Sequence, residues 1–148
     1  MNDPLLMAVA TPALPSREWG RQTLARRADE VRVWSGRSGA LVTGAAVAEC
    51  LSKAREALAR SGWVARDRDR GLFAALWEGS SDPDALTAAS TLLELLLEVR
   101  AEAPGLIRPD FEAWEARAGR TWPEVGELLA AAARFAREHG PQGGGGRG

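Results

Sequence analysis

The chain contains very few of the residues on which most catalytic and metal sites depend. Among its 148 residues there is one cysteine, Cys50, one histidine, His139, and no tyrosine. A single cysteine forms neither an internal disulfide nor a cysteine zinc cluster, and a single histidine cannot build a histidine metal site. Serine and cysteine triads need a histidine beside the nucleophile, and His139 lies close to the C-terminus. These absences argue against a metalloprotein and against a triad hydrolase, and we expect no cofactor.

Long apolar runs are missing as well. A helix that spans a bilayer needs about 18 or more apolar residues, and charged residues interrupt every apolar run of this chain before that length. Residues 5–14 are interrupted by Pro12 and preceded by Asp3, instead of the basic residues that open a signal peptide. Cys50 falls within an apolar helical pattern, which is typical of a buried residue rather than of a nucleophile. The sequence therefore predicts a cytoplasmic protein without a membrane segment.

The charged residues are unevenly distributed along the chain. Residues 16–70 hold twelve Arg or Lys against seven Asp or Glu, whereas residues 71–139 hold six against twelve. Such an asymmetry steers an anionic partner to the basic half, or it is neutralised internally when the two halves pack together. Arginine outnumbers lysine eighteen to one, but arginine and the abundant alanine both have GC-rich codons. The arginine excess is therefore not by itself a sign of phosphate binding.

Apolar residues recur at helical spacing over most of residues 43–139. This pattern predicts an all-α fold, a compact bundle of about five or six helices. Thr43 is the expected N-cap of a helix that Gly62 ends, and Asp82 caps a leucine-rich central helix that Pro104 terminates. Three more helices are predicted over residues 71–78, 110–118 and 122–138.

The most distinctive local signal is a corner before the last helix, bracketed by two tryptophans. Thr121 followed three residues later by Glu124 is a capping box, and Pro123 lies in the first turn, where its missing N–H costs nothing. Gly119 can adopt the left-handed conformation that stops the preceding helix. The signal is structural rather than catalytic.

The segment before Thr43 has two interpretations. Residues 16–34 suit a polar helix with Ser16 as N-cap, but alternating valines and turn glycines make a short hairpin near residues 30–43 an alternative. Residues 1–15 contain three prolines and no sustained period, which predicts a flexible N-terminal arm. A single helical domain over residues 16–139 and a disordered glycine-rich tail over residues 140–148 complete the predicted organisation.

Two tryptophans stand outside the clearest core pattern. Four others have apolar neighbours at helical spacing and are expected in the core: Trp63, Trp77, Trp114 and Trp122. Trp19 and Trp34 stand among arginines instead, and both residue types are enriched at the energetic centres of interfaces. We therefore predict a partner-binding surface that comprises Trp19, Arg26, Arg27, Arg32, Trp34 and Arg37.

Two clusters of charge have a structural explanation. Residues 66–70 alternate arginine with aspartate, and the interleaved aspartates predict a solvated, self-paired turn rather than a phosphate grip. Glu94, Glu98 and Glu102 succeed one another at single helical turns. They are predicted to form a solvated face of the central helix rather than a catalytic pair of carboxylates.

The order of elements resembles that of an uncharacterised family of small actinobacterial all-α proteins. In that family an alanine-rich helix ends in Gly-Trp, a short helix follows, and a Trp-x4-Gly-Arg-Thr corner opens the last helix. The corresponding elements here are Gly62-Trp63, residues 71–76 and the stretch from Trp114 to Thr121, within residues 44–138. The resemblance implies an all-α fold and a GC-rich bacterial origin, and it implies no activity.

The lack of catalytic motifs favours a non-catalytic binding or adaptor module. Its expected partner is anionic, either a protein or a nucleic acid, and is contacted through the basic half of the chain. The alternative is a small enzyme whose arginines and carboxylates act on a substrate in a pocket between helices. A deep pocket with converging Arg and Glu would favour the enzyme, and a shallow basic or apolar surface would favour the module.

Overall fold

The protein has an all-α fold. The computed structural model describes residues 17–80, 82–100 and 110–142. The described helices, in chain order, are α1 (Arg17–Glu30), α2 (Gly44–Ser61), α3 (Leu72–Glu78), α4 (Pro83–Arg100), α5 (Phe111–Glu115) and α6 (Trp122–His139). The predicted bundle of five or six helices is confirmed. The predicted N-terminal arm and Pro104 lie outside the described residues.

Helix α4 is the centre of the bundle, because the other five described helices all contact it. Eleven of its 18 residues are buried, mostly leucine and alanine, which confirms the predicted central helix. Asp82 caps this helix as expected: its Oδ1 accepts a hydrogen bond from the Asp84 N–H at 2.9 Å. Pro83 then opens the first turn, where no intrahelical donor is needed.

Helices α2 and α6 form the most extensive helix pair, and two glycines let them approach closely. A Cβ on Gly44 would collide with the carbonyl of Ala136, and a Cβ on Gly140 would collide with Gly44. The Gly44 N–H donates to the carbonyl of Pro141 at 2.8 Å. Ordered packing thus extends past residue 139, and the predicted disordered tail differs from the structure at Gly140 and Pro141. Residues 143–148 lie outside the described part of the chain.

The segment before Thr43, for which the sequence allows a helix or a hairpin, forms a helix and a tight turn. Helix α1 buries Leu24 and Ala28, and a loop closed by one antiparallel bridge between Ser35 and Leu41 follows it. The Val42 N–H donates to the Trp34 carbonyl at 2.7 Å beside that bridge. The described residues of this segment contain no strand, so the hairpin alternative is reduced to a single bridge. Packing of α1 on α4 decides the helical outcome.

The predicted corner before α6 is confirmed. Thr121 and Glu124 form both hydrogen bonds of the capping box, and Pro123 lies in the first turn. Gly119 has a φ of 86°, the left-handed conformation expected for it. The preceding helix ends earlier than predicted, at Glu115, and a turn fills the interval.

Candidate binding cleft

Two large aromatic side chains are exposed on the outer face of α3. Phe73 is 46% and Trp77 60% exposed, and their rings stack with centroids 6.2 Å apart. The two residues are one helical turn apart, so they share a face of the helix. The helical spacing of apolar residues predicts a buried Trp77, and that prediction was wrong.

The reason lies in the pattern of this short helix. Leu72, Ala75 and Leu76 occupy its inner face and are buried. Phe73 and Trp77 form a second apolar stripe next to the first, and a helix packed on one side buries only one of them. The pattern Leu-Phe-x-x-Leu-Trp therefore indicates two neighbouring apolar stripes, of which one is exposed. The sequence alone does not show which stripe faces inward.

The loop of residues 62–71 forms one wall beside the aromatic pair. Asp67 stabilises this loop, because its Oδ2 accepts from the backbone N–H groups of Asp69 and Arg70 at 3.0 Å each. Arg66 has a φ of 56°, which is uncommon for a residue with a side chain. Arg66 and Arg68 form no ion pair with the described residues. The turn is thus solvated as predicted, but backbone donors rather than the arginines occupy Asp67.

Glu115, at the end of α5, forms the base of the opposite wall. Its side chain is 1% exposed, and its Oε2 accepts from the Trp63 indole N–H and the Leu72 backbone N–H at 2.7 Å each. This carboxylate joins the loop after α2, the start of α3 and α5. Its other oxygen, Oε1, is buried and has no hydrogen-bond partner among the described residues. Buried polar atoms are nearly always paired, so an orphan oxygen in a cleft wall marks a functional candidate.

These groups line an open cleft of about 580 Å³. Phe73, Ala74 and Trp77 provide the apolar part of the lining. The charged lining consists of four carboxylates and two guanidinium groups: Asp67, Glu78, Glu112, Glu115, Arg66 and Arg68. The volume lies within the range of ligand sites, but the cleft is broadly open to solvent. In the sequence, the alternation with aspartate draws attention to Arg66 and Arg68, but no motif indicates Glu112 or Glu115.

Arg27, from the predicted binding surface, has a structural role. Arg27 Nε donates to Glu98 Oε2 at 2.7 Å, and Nη1 donates to Glu30 Oε1 at 2.7 Å. Hydrogen bonding to Glu98 raises the pKa of Arg27, and the bond to Glu30 adds to this. Glu98 is 1% exposed, so the prediction of a solvated face for this glutamate was wrong. The Arg27–Glu98 pair joins α1 to α4 and the basic half of the chain to the acidic half.

The other predicted surface residues have different surroundings. Trp34 is half-buried, and its ring stacks on Phe135 of α6 with centroids 6.3 Å apart, so it packs against the core. Arg26 is exposed and lies 3.5 Å from Glu30. Arg32 and Arg37 are exposed on the loop after α1. The backbone of Trp19 lies in α1, and its side chain lies outside the described residues.

The structure separates the exposed arginines of the basic half. The loop with Arg32 and Arg37 leads into the start of α2, whereas the loop with Arg66 and Arg68 follows its end. Helix α2 has 18 residues and is therefore about 27 Å long. Arg32 and Arg37 thus lie before α2 and Arg66 and Arg68 after it, and the exposed Lys53, Arg55 and Arg60 lie on α2 itself.

Chemically reactive groups are scarce in the described residues. Cys50 is buried, and burial raises its pKa to about 11, so the thiol is not activated as a nucleophile. The described residues contain no group of three or more His, Cys, Asp or Glu that could hold a metal ion. Within the same part of the chain, no helix is long and apolar enough to span a membrane.

The chain matches no protein-family model, and no curated protein or solved structure shows significant similarity to it. The resemblance of residues 44–138 to small actinobacterial proteins therefore stays a prediction.

Proposed function

We propose that the protein is a non-catalytic binding module that contacts a partner protein through the aromatic cleft. The exposed, stacked pair of Phe73 and Trp77 carries this proposal. Phe73 is 46% and Trp77 60% exposed, so a partner that covers the pair would bury their remaining apolar surface, at about 25 cal/mol per Å². Tryptophan is enriched among interface hot spots, and Trp77 lies exposed in the lining of the cleft.

The shape of the cleft supports a module more than the alternative enzyme. An enzyme usually surrounds most of a small substrate and excludes water from it. This cleft is open, and its apolar floor is the outer face of one short helix. Such a surface suits a side chain presented by another protein.

Matched alanine variants test the cleft. Trp77→Ala should weaken partner binding by about 2 kcal/mol or more, the scale of an interface hot spot, while the melting temperature stays nearly unchanged because the ring is exposed. Leu41→Ala is the control, since Leu41 is 69% exposed on the loop before α2. A partner should be retained on immobilised wild-type protein and Leu41→Ala and lost on Trp77→Ala. Equal retention by all three proteins would contradict the proposal.

A second candidate function is the binding of an anionic partner by the exposed arginines near the end of α1. The observation that favours it is the exposure of Arg26, Arg32 and Arg37 near the end of α1 and in the following loop. Neutralising these three residues with glutamine leaves the Arg27–Glu98 pair intact. Under this candidate, the triple variant loses a salt-sensitive partner without unfolding. A partner that is retained at high salt, or that depends on Trp77, would exclude it.

A further inference from the structure

The buried carboxylate of Glu115 sets a chemical requirement on whatever fills the cleft. Two donors occupy Oε2, and Oε1 accepts no hydrogen bond from the described residues. An unpaired buried acceptor, above all a charged one, is far more costly than an unpaired exposed one. A ligand that supplies a donor here removes this cost. Ammonium and guanidinium groups form the strongest hydrogen bonds to a carboxylate.

The aromatic pair favours the same kind of group. The faces of Trp77 and Phe73 carry partial negative charge, which attracts cations, and tryptophan does so most strongly. The rings also offer apolar surface to an aliphatic or aromatic side chain. A segment with one apolar and one cationic side chain therefore matches both features of the cleft.

The two arginines of the cleft oppose this preference only weakly. Arg66 and Arg68 are exposed on the loop of residues 62–71, where water and salt screen their charge. Glu115 is almost fully buried, so its interactions are screened much less. Asp67 and Glu78 are exposed as well and are screened in the same way, so they offset the two arginines. The buried group therefore decides the sign of the preferred ligand.

We infer that the partner presents a peptide segment in which an apolar side chain lies next to a lysine or arginine. The apolar side chain packs on Phe73 and Trp77, and the cation donates to Glu115 Oε1. Because Oε1 is buried, this contact requires the cation to displace the side chains that cover it. This inference rests on the proposed function and specifies the partner of that site.

Three capped dipeptides test the inference on the full chain: N-acetyl-phenylalanyl-lysine amide, its norleucine analogue and its glutamate analogue. Norleucine keeps the four-carbon chain of lysine and lacks the ammonium group. Nitrogen-15 NMR follows the indole N–H signals of Trp77, in the cleft, and Trp63, bonded to Glu115. The lysine peptide should shift both signals and bind about tenfold more tightly than the norleucine peptide. The glutamate peptide should bind most weakly.

The outcomes separate the inference from the proposed function. If no peptide shifts the Trp77 signal, the cleft is not a binding site and both ideas fail. If all three peptides shift it with equal affinity, the binding site stands and the preference for a cation is overturned. Tightest binding by the glutamate peptide would indicate an anionic partner and would also overturn the inference.

Variants locate the preference within the cleft. Glu115→Gln should lower the affinity for the lysine peptide to that for the norleucine peptide, whereas Glu112→Gln in the same lining should have a smaller effect. The double variant Arg66→Gln with Arg68→Gln should bind the lysine peptide equally or more tightly, and weaker binding would contradict the inference. If Glu115→Gln does not fold, two measurements still test the inference. One is the ratio of the wild-type affinities for the lysine and norleucine peptides, and the other is the affinity of the double variant for the lysine peptide.

Two other occupants are tested in the same spectra. Occupation by residues 1–15 of the chain itself would shift the Trp77 signal when that segment is deleted, without any peptide. Occupation by a second copy would make the Trp77 signal depend on protein concentration. Either result would overturn a partner peptide as the occupant.

Discussion

At the scale of single residues, two arginines from the predicted binding surface turn out to have structural roles. Arg27 is tied to the buried Glu98. Arg32 ends α1 with a φ of 54°, in the position that glycine usually takes. The Val33 N–H donates to the Ala28 carbonyl and the Arg32 N–H to the Asp29 carbonyl, which is the hydrogen-bond pattern of a Schellman motif. Arginines that cluster in the sequence thus have different structural roles in the fold.

The left-handed conformation of Arg32 makes a stabilising substitution predictable. A residue with a Cβ pays about 1 kcal/mol in this conformation, and glycine does not. Arg32→Gly should therefore raise the free energy of unfolding by about 0.5–1 kcal/mol, measured by urea denaturation. Arg37→Gly, on the following exposed loop, is the control and should give no gain. A destabilised Arg32→Gly would show that the arginine side chain itself supports the fold.

The pair of Arg27 and Glu98 should be sensitive to the loss of one partner. Arg27→Ala leaves the carboxylate of Glu98 buried without its arginine, and such changes cost about 3–5 kcal/mol. Arg26→Ala removes only an exposed contact with Glu30 and should cost less than about 0.5 kcal/mol. Thermal and urea unfolding of both variants measure the difference. If both variants lose equally little stability, water hydrates the Glu98 carboxylate after Arg27 is removed.

At the scale of elements, a carboxylate at the start of α4 holds the loop after α1. Asp84 accepts hydrogen bonds from the Ser38 N–H and hydroxyl at 2.7 Å each. Gly36 passes so close to Asp84 that a Cβ at Gly36 would collide with it. The loop that carries Arg37 is therefore fixed to the central helix, although its side chains are exposed.

The contact between Asp84 and Ser38 predicts a dependence of stability on pH. The backbone hydrogen bond from Ser38, followed by its side-chain bond, lowers the pKa of Asp84 below the model-compound value of 3.8. A carboxylate with a lowered pKa contributes its full stability above its unfolded pKa and loses it as the pH falls through the folded pKa. Wild-type protein and Asp84→Asn should therefore differ in urea stability by a constant amount above about pH 5. Below that pH the difference should shrink, and a constant difference down to pH 2 would contradict this assignment.

At the scale of the whole molecule, the last helix and the residues after it close the bundle against α2. Gly140 is buried between Gly44 and Ala136, and the carbonyl of Pro141 accepts from Gly44. The composition of residues 140–148 concealed this contact, because glycine-rich sequence is typical of disorder. Because glycine has no side chain, it also lets α2 and the end of α6 approach closely.

Two truncations test where the folded domain ends. A chain that stops at Gln142 keeps the Pro141 carbonyl and should melt like the full chain. A chain that stops at His139 loses this hydrogen bond and the packing of Gly140, and it should lose about 1–2 kcal/mol of stability. Differential scanning calorimetry of the three chains measures both effects. Identical melting of all three would show that the contact after α6 contributes nothing.

Local sequence signals were sufficient to predict α2, α4 and α6, whereas for α1 the sequence left a helix and a hairpin open. The capping residues Thr43, Asp82 and Thr121 and the stop at Gly62 act within one turn of the chain, so their effect needs no distant partner. Helical periodicity likewise predicted the buried faces of α2, α4 and α6. The fold class followed from these signals.

Tertiary structure alone decided which side of α3 is exposed and which charges are buried. Periodicity shows that Leu72–Leu76 and Phe73–Trp77 form stripes, but only the packing of α3 on α2 and α4 shows that the aromatic stripe faces outward. Glu98 and Glu115 resemble solvated helical glutamates in the sequence. Their partners, Arg27 and Trp63, are 71 and 52 residues away along the chain. Pairing over such separations arises only when the bundle brings distant segments together, and the candidate cleft exists for the same reason.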